Sequence, residues 1–146
     1  FVALWEEERA EETTRARENA FALLRHRRKQ AEYGGFLFQG QRWDSEEKDE
    51  MRLNSLVTMM DKTGMETFEG WKISETATVT LTPELAALAA AAMMAHYNAC
   101  FAVERAKADN LRNLDSPAAV NTWLAPELDA GWPGTTHPGE EKNNDD

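Results

Sequence analysis

The stretch Thr76-Ala77-Thr78-Val79-Thr80-Leu81-Thr82-Pro83-Glu84-Leu85-Ala86-Ala87-Leu88-Ala89 decides the fold class. Its first half alternates, with Val79 and Leu81 on one side, which is the period of an extended strand. Its second half changes period. Leu85, Leu88, Ala89, Ala92, Ala95, Ala99, Ala102, Val103 and Ala106 recur at helical spacing. Thr82-Pro83-Glu84 marks the switch. Threonine caps a helix, proline at the first helical position forfeits no hydrogen bond, and glutamate meets the positive end of the helix dipole. The spacing predicts a helix from Pro83 to about Leu114, stopped by Asp115-Ser116-Pro117. So many alanines imply close approach by another element.

Working upstream, Glu66 to Ile73 reads as a second strand, separated from the first by Ser74-Glu75. Before it, Met51, Leu53, Leu56, Val57, Met59 and Met60 form the apolar face of a helix from Ser45 to about Asp61, ended by Lys62-Thr63-Gly64. Asp44 is its expected N-cap, with Glu47 at capping-box spacing. The carboxylates that follow (Glu46, Glu47, Asp49, Glu50) suit the first turns of a helix. They lack the glycine and the alternating ligand order of a calcium loop, so capping explains them. Further upstream, Phe36-Leu37-Phe38 and Gln41-Arg42-Trp43 flank Gln39-Gly40 and read as two short strands around a turn.

Residues 1–33 contain neither glycine nor proline and are rich in helix formers. They carry seven basic and seven acidic side chains. Between Glu6 and Asn19 the apolar residues are Ala10 and Ala16, too few for a wide buried stripe. This helix is therefore expected to project as a stalk, as an attachment or oligomerisation element. Phe1-Val2-Ala3-Leu4-Trp5 is an apolar patch followed at once by Glu6-Glu7-Glu8; it reads as the end of a preceding element or as a docking patch. The basic run Arg25-His26-Arg27-Arg28-Lys29 complements the helix dipole at its negative end, the alternative being contact with an acidic partner. At the other end, Ala118 to Leu128 suggests one or two helical turns. Residues 129–146 read as a tail, with turn signals at Gly131-Trp132-Pro133-Gly134 and His137-Pro138-Gly139. Residues 115–146 hold one basic and seven acidic side chains. Trp123 and Trp132 are costly to leave in water, so they either fold back or bind a partner. The candidate partner-binding residues are thus Phe1, Leu4, Trp5, Trp123 and Trp132. The expected division is 1–33, a helix; 34–114, a small α+β domain; and 115–146, an acidic, loop-rich tail.

The chain has 146 residues, 42% hydrophobic and 29% charged, and a net charge of -10. That is one domain's worth of ordinary globular composition. The negative charge argues against nucleic acid as partner. The most apolar run, Leu85 to Met94, is mostly alanine and short for a membrane helix, so no membrane is expected. One cysteine, Cys100, excludes an internal disulfide and a multi-cysteine zinc site. His26, His96 and His137 have no metal-ligand spacing, and no glycine-rich phosphate loop is present. No cofactor and no enzyme activity are expected. His96 lies one turn before Cys100, a spacing at which a Cys–His nucleophile pair is conceivable; two small residues in or beside an alanine-packed helix face are the favoured reading, since free cysteine behaves by default as a small buried hydrophobe.

One combination carries a resemblance: the basic helix end, Gly34-Gly35-Phe36 with Gly40, Trp43-Asp44-Ser45, Trp71-Lys72, Leu81-Thr82-Pro83-Glu84-Leu85, and the alanine-rich helix through His96 and Phe101. From about Arg27 to Leu114 the chain resembles a domain-of-unknown-function family of tailed bacteriophages and prophages. Its members occur beside, or fused to, tail-fibre and tail-fibre-assembly proteins. The resemblance implies a virion protein made in the bacterial host cytoplasm. It would be a structural component of the tail tip or fibre, acting by protein–protein contacts with other tail or fibre proteins and as a homo-oligomer, a trimer by analogy with fibres. Alternatives are a tail-fibre assembly chaperone and a small cell-wall-acting enzyme. The fold class expected is α+β: a long N-terminal helix, a small antiparallel sheet of short strands, one middle helix and a long alanine-rich helix.

Overall fold

The computed structural model describes residues 2–134. Phe1 and the His137-Pro138-Gly139 turn signal lie outside the described residues, as does the rest of the acidic tail from Thr135 onward. The fold is α+β. In chain order its elements are α1 (Val2–Glu32), β1 (Phe36–Phe38), β2 (Gln41–Trp43), α2 (Glu47–Thr63), β3 (Phe68–Lys72), β4 (Thr78–Leu81), α3 (Pro83–Arg112) and α4 (Pro117–Glu127). The strands form two separate two-stranded antiparallel hairpins, β1–β2 and β3–β4, where one small sheet was expected.

The chain divides into two compact units. Among the described residues, one comprises Val2–Gln30 with Cys100–Trp132, and the other Ala31–Ala99 with Pro133 and Gly134. The boundaries fall inside α1 and inside α3. These boundaries lie at other positions than the 33/34 and 114/115 expected from the sequence.

In the first unit, Ala20, Leu111 and Val120 form a closed cluster, with Ala16, Phe21, Leu114, Trp123 and Leu124 packed against it. Thr13 Oγ1 donates to Arg9 O and approaches Asp115 O at 3.5 Å. Arg17 Nη1 donates to Leu114 O at 2.9 Å, so a guanidinium from α1 satisfies a carbonyl just past the end of α3. Small and polar residues dock this helix, which is why its sequence shows no wide apolar stripe. The expected stalk is confined to its start: residues 3–12 are all exposed. The tail expectation changes as well. Ser116, read as a helix stop, is also the N-cap of α4, its Oγ accepting the Ala119 N–H at 3.1 Å, with Pro117 at the first turn.

In the second unit, the core joins Leu53, Leu56 and Met60 of α2 to Ala86, Ala89 and Met93 of α3, with Phe36, Trp43, Ile73, Leu81 and Tyr97 around them. Thr82 caps α3 as expected, its Oγ1 accepting the Leu85 N–H at 3.1 Å. Gln39 and Gly40 both have positive φ, 54° and 74°, as a two-residue turn of type I′ requires between Phe38 and Gln41. α3 is 30 residues long with a mean hydropathy of 1.4 over an 18-residue window, enough by length and composition to cross a bilayer. That exceeds the sequence expectation, because alanine counts as apolar over the whole window. A core helix passes the same test, and α3 buries Ala86, Ala89 and Met93 in the unit's own core.

The start of α2 differs from expectation. Its N-cap is Glu46, with the Asp49 carboxylate accepting the Glu46 N–H at 2.9 Å. Asp44 does not cap; its backbone N–H donates to Ile73 O at 2.6 Å. Partial burial, with Asp49, Glu46 and Glu75 nearby, holds the Asp44 carboxyl above its ordinary 3.8. The folded state therefore binds this proton more tightly than the unfolded chain does. The resulting stability is full in acid and declines as pH rises through the carboxylate range and past the raised value. Asp44→Asn is expected to raise Tm at neutral pH and to flatten this part of the profile. Thermal melts from acid to neutral pH check it; identical profiles for the two proteins would remove Asp44 as the cause.

Candidate docking surface

Three of the residues that carry the family resemblance, Gly35, Ser45 and His96, meet in a buried polar knot. Ser45, fully buried, donates from Oγ to Glu32 O at 2.6 Å and accepts the Gly35 N–H at 2.8 Å. Tyr97 donates its hydroxyl to Ser45 O at 2.6 Å. Burial first, then Glu50 and its neighbours, pushes the Tyr97 phenol well above its ordinary value, so it remains a donor. His96 Nε2 faces Ala31 O at 2.9 Å and Glu32 O at 3.2 Å. Both are acceptors, so the proton sits on Nε2. These contacts satisfy the last carbonyls of α1, which no intrahelical donor reaches. Glycine is required beside them: Gly35 has φ +98°, and a Cβ there would lie 3.0 Å from Trp43 O. The Cys–His spacing noted in the sequence is thus accounted for residue by residue. His96 is engaged with backbone carbonyls, and Cys100 is fully buried.

The five candidate partner-binding residues separate. Phe1 is outside the described residues. Leu4 and Trp5 are in solvent, 67% and 57% exposed, with the Arg9 guanidinium 4.7 Å from the Trp5 ring. Trp123 is half-buried against the Ala20–Leu111–Val120 cluster. Trp132 is buried, and its Nε1–H donates to Leu128 O at 2.7 Å. Of the two fates open to these tryptophans, folding back is the one observed. The basic run is engaged as well. Arg28 pairs with Glu104 at 3.0 Å and Arg27 with Asp129 at 2.9 Å, while the Arg27 guanidinium lies 5.6 Å from the Trp132 ring. The acidic partner of Arg27 and Arg28 is this chain.

Each unit also carries a surface groove that the linear sequence did not announce. In the first unit, Phe21, Leu24 and Phe101 lie among Glu18, Arg25, Glu104, Arg105 and Arg112, around about 710 Å³. Its aromatic rings are already faced by cations, Arg28 over Phe101 at 4.4 Å and Arg112 over Phe21 at 5.8 Å. In the second unit, a groove of about 610 Å³ runs between α2 and β3, with Met51, Leu56, Met59, Phe68 and Trp71 as its apolar lining. Met51 and Met59 are 65% and 40% exposed. Its charged lining residues are Arg52 and Lys72, both cationic. Phe68 and Trp71 are three apart and would point to opposite faces of a regular strand. The pairing with β4 shifts register between them, and Gly70 has φ +73°. This bulge returns both rings to one side, 5.9 Å apart and edge to face.

Among the described residues no group of three or more His, Cys, Asp or Glu is placed to hold a metal ion. The surfaces that offer chemistry are thus an exposed apolar helix end followed by acids, and an apolar groove flanked by cations. In comparisons with known proteins, a family model described as a domain of unknown function, DUF4376, matches residues 15–126. The match begins just after Thr13, where α1 becomes packed, and runs into the last turn of α4. No curated protein and no solved structure matches the chain.

Proposed function

We propose that this chain, which belongs to the DUF4376 family, is a structural component of a bacteriophage tail, at the tail tip or associated with the fibre, and acts through protein–protein contacts. The phage assignment rests on the resemblance carried by Gly34-Gly35-Phe36, Trp43-Asp44-Ser45 and Leu81-Thr82-Pro83-Glu84. One observation supports the contact-making role: Leu4 and Trp5 stand 67% and 57% exposed on a stretch of α1 that is exposed through residue 12. Fully burying a Leu side chain stabilises by about 1.5–3 kcal/mol, and an indole presents still more area, so a partner that covers both gains substantially. The acids Glu6, Glu7 and Glu8 keep this end hydrated until it docks.

The experiment is quantitative mass spectrometry of purified particles, made with the intact chain and with a chain lacking residues 1–12. The intact protein is expected at a fixed low copy number per particle. The shortened protein is expected to be lost from particles by tenfold or more, a loss of about 1.4 kcal/mol of binding or greater. Its Tm should stay unchanged, because residues 3–12 are exposed. Abundance in the lysate with absence from particles would replace this reading with the assembly-chaperone one. Retention of the shortened chain in particles would move attachment away from α1.

A further inference from the structure

We propose that the Leu4–Trp5 end of α1 seats in the α2–β3 groove of a second copy of this chain. The inference rests on reading that end as a docking element and names its partner. Three observations carry it.

First, shape and chemistry agree. The groove of about 610 Å³ is within the range of ligand-holding clefts. Two flexible thioethers, Met51 and Met59, face two aromatic rings across it, a lining that adapts to an inserted indole and makes favourable sulfur–aromatic contacts. Gly70 lines the groove, and nothing lies within 4 Å of a Cβ built there.

Second, the charges are complementary. The chain carries a net charge of -10, yet the charged residues lining this groove, Arg52 and Lys72, are both cationic; Lys72 also lies 3.7 Å from the Glu75 carboxylate, an exposed surface pair that a docking carboxylate can exchange with. The adjoining depression on α2 adds Lys62 and no acid. The proposed occupant reads Leu4-Trp5-Glu6-Glu7-Glu8: an apolar pair for the groove and three carboxylates for its cationic flank. The groove of the first unit is mixed in charge, with Glu18 and Glu104 among Arg25, Arg105 and Arg112, and its rings are already faced by Arg28 and Arg112.

Third, both halves are exposed at once. Leu4, Met51 and Trp5 are the three most exposed large apolar residues described, and Met59 beside Met51 is exposed as well. An interface in which one surface of a copy meets a different surface of the next is heterologous, and it closes into a ring or extends as a filament.

The test is sedimentation velocity of the full-length chain over a concentration series. The wild type is expected to assemble beyond the monomer. An end variant, Leu4→Ser with Trp5→Ser, and a groove variant, Met51→Glu with Arg52→Glu, should each sediment as monomers with unchanged Tm, since all four residues are exposed. Mixed in equal amounts, the two should give a twofold rise in mass and no more, because one intact end then meets one intact groove. If the groove variant does not fold, a charge exchange serves instead. Arg52→Glu with Lys72→Glu should abolish assembly, and Glu6→Lys with Glu7→Lys added in the same chain should restore it. A monomeric wild type, assembly unaffected by both variants, or a mixture that stays monomeric would overturn the inference. It fails separately from the tail reading. A monomeric protein whose shortened form still drops out of particles leaves the end docking on another tail protein. Assembly lost without loss from particles leaves this interface standing and removes α1 as the tail attachment.

Discussion

Leu111→Ala is expected to destabilise the protein by about 2–5 kcal/mol, the range for a buried leucine truncated in a core that relaxes only partly. Leu111 is fully buried, on α3, in the cluster it forms with Ala20 of α1 and Val120 of α4. The neighbours cannot collapse easily into the space. Ala20 has only a methyl group and nothing to extend, and Arg17 from the preceding turn is committed to Leu114 O. Urea unfolding followed by circular dichroism reads the effect as a lower midpoint at constant slope. If α1 were a free stalk, Leu111 would lack its α1 neighbour and the loss would be far smaller. A change under about 0.5 kcal/mol, the size seen at unconstrained surface sites, would mean that α1 is not docked.

Ser45→Ala is expected to cost about 2–4 kcal/mol although it removes one oxygen. That oxygen serves two buried backbone groups at once, and each left unpaired costs about 1–3 kcal/mol. Gly35 N–H would lose its partner, while Glu32 O would keep the weaker contact with His96 Nε2 at 3.2 Å. Gly35 cannot shift to find another acceptor easily, because its backbone lies close against Trp43 O at φ +98°. Tyr97→Phe removes a single hydrogen bond to Ser45 O and should cost about 0.5–1.5 kcal/mol. Thermal unfolding of both variants gives the ranking. Equal losses would show that the knot is held by Tyr97 as much as by Ser45.

Local signals made several elements legible. Thr82-Pro83-Glu84 places a helix start because cap, ring and charge act within one turn, and the start is where these residues put it. Gln39-Gly40 places a tight turn because positive φ is cheap at glycine. Of the expected apolar face of α2, Leu53, Leu56 and Met60 are buried, whereas Met51 and Met59 are exposed. Its cap was misplaced by two residues because Ser45 is drawn away to Glu32 O and Gly35 N–H, a demand that no window around Asp44 contains. The docked part of α1 was missed for a related reason. Between Glu6 and Ala20 the contact is made by Thr13, Ala16 and Ala20, small residues that carry almost no hydropathy signal, and only beyond them do larger apolar residues such as Phe21 and Leu24 join it.

The candidate surface divides the same way. Leu4 and Trp5 could be read as an exposed docking patch because an apolar pair running straight into three glutamates has no stripe to join. Trp123 and Trp132 looked alike in sequence, and burial alone separates them from the first pair. The α2–β3 groove had no linear signature at all, since it depends on a register shift that puts Phe68 and Trp71 on one side. By itself, then, the sequence determined the fold class, the order of helices and strands, and the apolar–acidic character of the N-terminal end, because these follow from neighbours along the chain. Only the tertiary structure decided which helix is docked, which tryptophans are covered and where a groove opens, because those outcomes depend on residues up to about a hundred positions apart, such as Thr13 and Asp115.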